Sequence, residues 1–336
     1  MISISRIGRP RTGHAPRCAR VALLLVAVHG PGAAVPALAQ DGAETAPGWT
    51  NETELSLALT GGNSTARTFG FGDTVRHVRE GSRLQIRVSG IRSGTAGDRF
   101  LLVDPGLRFP IAGAPEAPET RLVRPRVDAE VENYLASGRY EMDVSERFFW
   151  NAGGGWDRNS DAGILNRYTA FAGVGNVWSD NDTVRFSTSY AASYTNRAEE
   201  TRDPGKDPRF AGARLGWDYR HRFGASTVYE NELTANVNLT AASDYSFTMS
   251  HALSAALGTH LALRVGLQWL YEHEPAPEDV AVVARVEVVD PDGVPGSGDE
   301  LFETVTDGGA AVALGTSRIR KDRLDTVFRT ALVISF

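Results

Sequence analysis

The chain has 336 residues, a formal net charge of −6, 42% hydrophobic residues and a mean hydropathy of −0.23. Membrane-spanning helices need apolar runs of about 20 residues, and none is present. The acidic balance gives no basis for nucleic-acid binding, and no zinc pattern, G-x-S-x-G or P-loop occurs.

The first element is a targeting segment. VALLLVAV, residues 21–28, follows Arg6, Arg9, Arg11, Arg17 and Arg20 and precedes Ala37-Leu38-Ala39. A basic start, a short apolar core and an A-x-A site define a secretory signal peptide over 1–39, with cleavage after Ala39 or Gln40. The single cysteine, Cys18, lies inside it. An exported chain without cysteine must be stabilised by packing or by a closed sheet.

A flexible lead over 40–48 precedes twelve segments of period two. The first, 49–60, sets Leu55, Leu57 and Leu59 against Glu54, Ser56 and Ala58. The next two, 66–78 and 82–91, carry Phe69, Phe71 and Val75, then Leu84, Ile86 and Val88 against Arg83 and Arg87. The fourth ends near Met142 and starts between 124 and 132. The fifth, 146–157, aligns Phe148, Trp150, Ala152, Gly154 and Trp156. Its glycines, in NAGGGWD, do not fit a dinucleotide-binding turn and read as small residues making room for neighbours. The sixth, 166–178, aligns Tyr168, Val174 and Trp178. The seventh, 183–194, sets Phe186 and Tyr190 against Arg185 and Ser187.

The eighth to eleventh segments span 210–222, 227–240, 244–257 and 260–272. They oppose Leu215 and Trp217 to Arg214, Asp218 and Arg220; Tyr229 and Leu233 to Glu230 and Glu232; Phe247 and Leu253 to Ser250 and Ser254; and Leu263 and Val265 to Arg264 and Glu272. The twelfth, 325–336, opposes Phe328, Leu332, Ile334 and Phe336 to Asp325 and Arg329.

These strands exceed the 5–6 residues usual in soluble sandwiches and match the 9–11 of membrane strands. Aromatics gather at their ends, as in interfacial girdles. Connections after even strands are short, whereas those over about 92–124, 158–165, 195–209 and 273–322 are long. The expected fold is all-β: an up-and-down antiparallel transmembrane barrel over 49–336, with both termini on the periplasmic side. The last strand must pair with the first, because an open edge is not tolerated in hydrocarbon. Phe336, with Ile334 and Leu332, reads as a signal to the barrel-assembly machinery.

The acidic loop 273–322 is expected to be solvated and flexible, and its spacing does not match a calcium loop. Its VAVVARVEVV and LFETVT pieces could form an outside hairpin, or two further strands making fourteen.

The stretches LALTGGNSTARTFGF, YEMDVSERFFWNAGGGWDRN, GWDYRHRFGASTVYENE, LRVGLQWLYEHEPAP and DTVFRTALVISF resemble the Gram-negative family of YdiY-like salt-induced outer-membrane proteins, built on domain of unknown function 481. The inserts at about 93–123 and 278–320 are longer than that pattern. The resemblance implies an outer-membrane barrel and no established activity.

Three functions remain open. The lumen-facing charges Arg83, Arg87, Arg185, Arg214, Asp218, Arg220, Glu230, Glu232, Arg264, Glu272, Asp325 and Arg329, with Glu54, either neutralise one another in a structural or stress-responsive envelope protein or line a narrow channel for small ionic solutes. An outer-membrane lipid enzyme is the third. It needs a Ser–His pair, but His251, of lipid-facing parity, has Leu233 and Leu267 as expected neighbours, Asn231 on a diagonal and no serine on its face. The expectation is a monomeric non-enzyme without cofactor or metal, surrounded by lipid and lipopolysaccharide.

Overall fold

The structure, a computed structural model, describes residues 47–61, 66–92, 100–111, 120–123, 132–291 and 300–336. The signal peptide expected over 1–39 and most of the lead expected over 40–48 lie outside these residues. Eighteen strands are present: β1 Gly48–Gly61, β2 Ala66–Arg79, β3 Ser82–Arg92, β4 Phe100–Val103, β5 Arg108–Pro110, β6 Thr120–Val123, β7 Glu132–Asp143, β8 Phe148–Asn159, β9 Ile164–Asp180, β10 Val184–Glu199, β11 Arg209–Phe223, β12 Thr227–Asn238, β13 Tyr245–Ala256, β14 Leu261–Glu272, β15 Pro277–Val289, β16 Leu301–Thr304, β17 Ala310–Arg320 and β18 Leu324–Ser335.

Twelve of them close a barrel in the order β1-β18-β14-β13-β12-β11-β10-β9-β8-β7-β3-β2. All its pairings are antiparallel. The seam is β1 with β18, where Leu55 faces Leu332 and Glu52 faces Ser335. Phe336 extends it: its N–H donates to the Asn51 carbonyl at 2.9 Å, and its own carbonyl accepts from Asn51 N–H at 3.1 Å. The seam ladder thus runs to the last residue of the chain, and no open edge is left there for hydrocarbon to meet.

Period-two sequence fixes which face is which. Leu55, Phe71, Tyr190, Leu253 and Leu332 are exposed on the outer wall, while the alternating Ser56, Asn151, Ser187, Ser189 and Thr195 are buried within. This apolar outside and polar inside is the architecture of a transmembrane β-barrel. The glycines of β8 do make room. A Cβ on Gly153 would come within 2.7 Å of the Phe171 ring, and one on Gly175 would collide with Phe149. Two inward aromatics therefore occupy space over bare backbone, Phe171 at Gly153 of β8 and Phe149 at Gly175 of β9.

Two polar clusters interrupt the outer wall. On β1 and β2, Asp73 accepts from Thr53 Oγ1 at 2.9 Å and from Asn51 Nδ2 at 3.0 Å. On β12 and β13, His251 Nδ1 lies 2.7 Å from Tyr229 Oη and 3.3 Å from Asn231 Nδ2.

The long connections differ from expectation. The described residues of segment 273–322, 273–291 and 300–322, are not the solvated flexible loop expected. They contribute β15, β16 and β17, and the 92–124 connection contributes β4, β5 and β6, to a six-stranded second sheet. The VAVVARVEVV–LFETVT hairpin forms, with Val286 opposite Thr304 and Val289 opposite Leu301. It stays out of the barrel, which has twelve strands and not fourteen. The reason is a core of its own: Val103, Phe109, Ala284 and Val286 are buried together, with Leu107, Val282, Phe302, Val312 and Leu314 packed on them. Thr304 ties this core to its turn, donating to the Asp104 carbonyl at 2.7 Å and accepting from Leu107 N–H at 2.9 Å.

Candidate functional site in the barrel lumen

Alternation places one inward side chain on every second residue of each barrel strand, so charges at odd positions of β3 and β7 and at even positions of β12 and β14 converge on the axis. Two polar cavities occupy the lumen, of about 380 Å³ and about 140 Å³. Both are lined by Arg76, Glu230 and Glu232. The larger also takes Glu54, Arg87, Arg214, Arg264 and Arg329, the smaller Arg83, Arg185, Asp218 and Arg220.

The centre is a bidentate pair. Arg87 Nη1 donates to Glu232 Oε2 at 3.0 Å and Nη2 donates to Oε1 at 3.1 Å. Arg87 is on β3 and Glu232 on β12, six places apart in the ring of twelve. The pair therefore spans the lumen from wall to opposite wall. Parallel N–H···O bonds of this kind are the strongest form of arginine–carboxylate contact and fix orientation as well as distance.

Shorter chords brace it. Arg264 reaches Glu230 at 2.7 Å. Arg139 bridges Asp218 at 3.1 Å and Glu141 at 2.6 Å, and Arg83 meets Glu141 and Asp143 at 3.5 Å each. Toward the end remote from the termini, Arg167 joins Asp157 at 3.1 Å and Glu272 at 2.6 Å. At the mouth, Arg197 holds Asp244 at 3.0 Å and Glu199 at 3.0 Å. Lys206, from the β10–β11 connection, bonds Asp244 at 3.4 Å and donates to the Glu274 carbonyl. Arg320 then ties β17 to Asp203 at 2.8 Å, and Lys321 donates to the Ser160 carbonyl at 2.8 Å. Charges drawn from water into a narrow lumen need partners, and this set supplies them for the residues named.

Outside the spanning strands, the Asp203 carboxyl is held below the usual carboxylate range, first by the Gly205 N–H at 3.0 Å and then by Arg320. The Arg318 hydrogen bond at 2.8 Å lowers Asp279 in the second sheet in the same way.

Of the charges read from sequence, Arg87 with Glu232 and Arg264 with Glu230 are direct partners, Asp218 pairs with Arg139, and Glu272 pairs with Arg167. Asp325 is buried at 5% exposure. Among the described residues Arg214 and Arg329 have no carboxylate within ion-pair distance; Arg214 lies over the Phe171 ring at 4.5 Å, and Arg329 donates to Gln268 Oε1 at 3.4 Å. Sequence reading missed Arg139, Glu141, Asp157, Arg167, Arg197 and Asp244. Most of these carry the same parity signal as the residues it found.

The expected surroundings of His251 need one correction. Asn231, not Leu233, stands directly opposite it, and Leu233 faces Met249. Register on β12 is thus shifted one pair from the sequence estimate, which turns the diagonal Asn231 into a bonded neighbour. The other neighbour, Leu267, is as expected. No group of three metal-ligating side chains occurs among the described residues.

Solved structures similar to this chain are outer-membrane proteins. "NanC porin" is 8% identical, with 84% of this chain and 98% of that chain covered and a TM-score of 0.42. "KdgM porin in complex with disordered oligogalacturonate" is 9% identical over 85% and 99%, with a TM-score of 0.38. The "anion-selective porin from Comamonas acidovorans" is 9% identical over 86% and 98%, with a TM-score of 0.34. No curated protein matches the sequence. The family described as "Protein of unknown function, DUF481" matches residues 53–282, and the chain belongs to it.

Proposed function

We propose that the protein is a structural barrel of the outer membrane whose lumen is held closed to bulk solute by ion pairs. The observation that carries this reading is the Arg87–Glu232 pair, which crosses the lumen between opposite walls. An open conduit keeps its charges along the wall, where they attract solute. Here opposite charges from facing walls satisfy one another. The reading includes export by a cleaved signal peptide over 1–39, insertion by the barrel-assembly machinery, a lipid and lipopolysaccharide surround and a monomeric state. The resemblance to salt-induced proteins adds a stress-responsive role. The reading assigns no catalysis: the outward His251 is engaged by Tyr229 and Asn231 rather than by a serine.

Conductance in planar bilayers tests it. The expected result is a near-silent wild type, with discrete steps appearing in the Arg87→Ala/Glu232→Ala double variant. Large, ion-selective steps in the wild type would overturn it. They would favour the second reading, a narrow ion channel, which one observation supports: the two cavities share Arg76, Glu230 and Glu232 as lining.

A further inference from the structure

We infer that Arg214 is a binding site for a small carboxylate inside the larger lumen cavity. This goes beyond the closed-barrel reading and does not depend on it. The inward arginines Arg76, Arg87, Arg139, Arg167, Arg197 and Arg264 each meet an acidic side chain within 3.1 Å. Arg214 lines the same lumen and meets none. Among the described residues its side-chain hydrogen bonds are long ones, 3.4 Å to Asn236 Oδ1 and 3.4 Å to Thr234 Oγ1. Arg214 is half-buried and lacks the anionic partner that its neighbours have, so a counter-anion from solution has a reason to stay.

The guanidinium is also held ready. It lies over Phe171 with its central carbon 4.5 Å from the ring centroid. Phe171 is itself fixed, because its ring fills the space that a side chain at Gly153 would take. Stacking uses the guanidinium face and leaves its edge to the two long bonds alone, and that edge is the fork that fits a carboxylate with two parallel bonds. Thr169, Thr195, Thr234 and Asn236 line the same cavity with neutral donors and acceptors, and the carboxylate Asp157 in its lining is engaged by Arg167. The site therefore suits a planar anion better than a spherical one, and tolerates hydroxyls on the solute. The cavity volume of about 380 Å³ leaves room for a small organic acid.

The test is calorimetric titration of sodium acetate into the refolded full barrel in detergent, at constant ionic strength, with chloride as competitor. Folding of each variant is verified by its altered migration when unboiled. The wild type should give saturable one-site heat, and chloride should compete at least tenfold more weakly than acetate binds. Arg214→Gln should weaken acetate at least tenfold, while Arg318→Gln, in the second sheet and outside the lumen, should leave it within twofold. Absence of saturable heat in the wild type would overturn the site, as would wild-type affinity in folded Arg214→Gln. Equal competition by chloride would overturn the assignment to carboxylates. Should Arg214→Gln not fold, the wild-type titration and the chloride competition still decide. Conductance is not read here, so the closed-barrel reading and this site fail separately.

Discussion

Arg167 on β9 and Glu272 on β14 meet at 2.6 Å although their strands stand five places apart around the ring. Together with Arg87 and Glu232 they make two struts, one near mid-height and one nearer the end remote from the termini. A barrel wall is a single sheet held to itself only through its ladders. Struts add contacts between strands that never touch in the sheet, so they resist flattening of the cross-section.

That bracing should be measurable as coupling. In a double-mutant cycle on Arg87→Ala and Glu232→Ala, the pair keeps side-chain exposures of 32% and 38%, so lumen water screens it. The expected coupling is about 1 kcal/mol, well under the 3–5 kcal/mol for breaking a fully buried pair. It should shrink as salt rises from about 0.05 to about 0.5 M. Strict additivity at low salt would show that the strut carries no load.

The inward aromatics depend on missing side chains. Gly153→Ala places a Cβ against the Gly138 carbonyl oxygen and the Phe171 ring, whereas a Cβ on Gly138 meets nothing within 4 Å. Gly153→Ala should lower stability by roughly 1–3 kcal/mol through overpacking, and Gly138→Ala should be close to neutral. Urea midpoints of the refolded variants compare them directly. Equal midpoints would remove the steric account.

Phe336 is 76% exposed on the outer wall beside the seam. Its truncation to Ala should therefore cost less than the roughly 3–5 kcal/mol of a core Phe→Ala. If the residue is an assembly signal, the variant should accumulate poorly in cells yet refold normally into detergent. Equal insertion of both proteins in cells would end that idea.

The connection at Asp203 predicts a pH effect of definite sign. Its carboxyl is depressed in the folded protein by Gly205 N–H and Arg320. A depressed carboxylate contributes its stability above the unfolded value of about 3.9 and loses it as pH falls through the lower folded value. Exchange of the Asp203, Gly205 and Lys206 amides, corrected for intrinsic rate, should thus be flat between about pH 5 and 8 and rise only below about pH 4. Asp203→Asn should show the faster exchange already at neutral pH. A transition near pH 6 would point to a different group.

The barrel was readable because period two, kept up over ten residues or more, has one physical cause: different solvents on the two faces of one strand. All twelve barrel strands follow it, and their observed bounds fall mostly within two residues of the sequence estimates. Strands β4, β5 and β6 escape the same reading. At three or four residues they cannot display a period, and β4 finds β15 some 180 positions away. Inward facing was likewise readable, since parity decides it. Which charge meets which was not. Arg87 reaches Glu232 because of the ring's closure and diameter, and neither is written in the spacing of a single strand.

The second sheet imposes an order on events. Phe100, Leu101 and Leu102 of β4 run parallel to Ala281, Val282 and Val283 of β15. The two pieces come from connections that follow β3 and β14, early and late in the chain. They can meet only when both connections have crossed to the same side of the membrane. The sheet thus works as a latch set after threading is complete: once Val103, Ala284 and Val286 are packed together, neither hairpin can slip back without first opening a core that water does not wet.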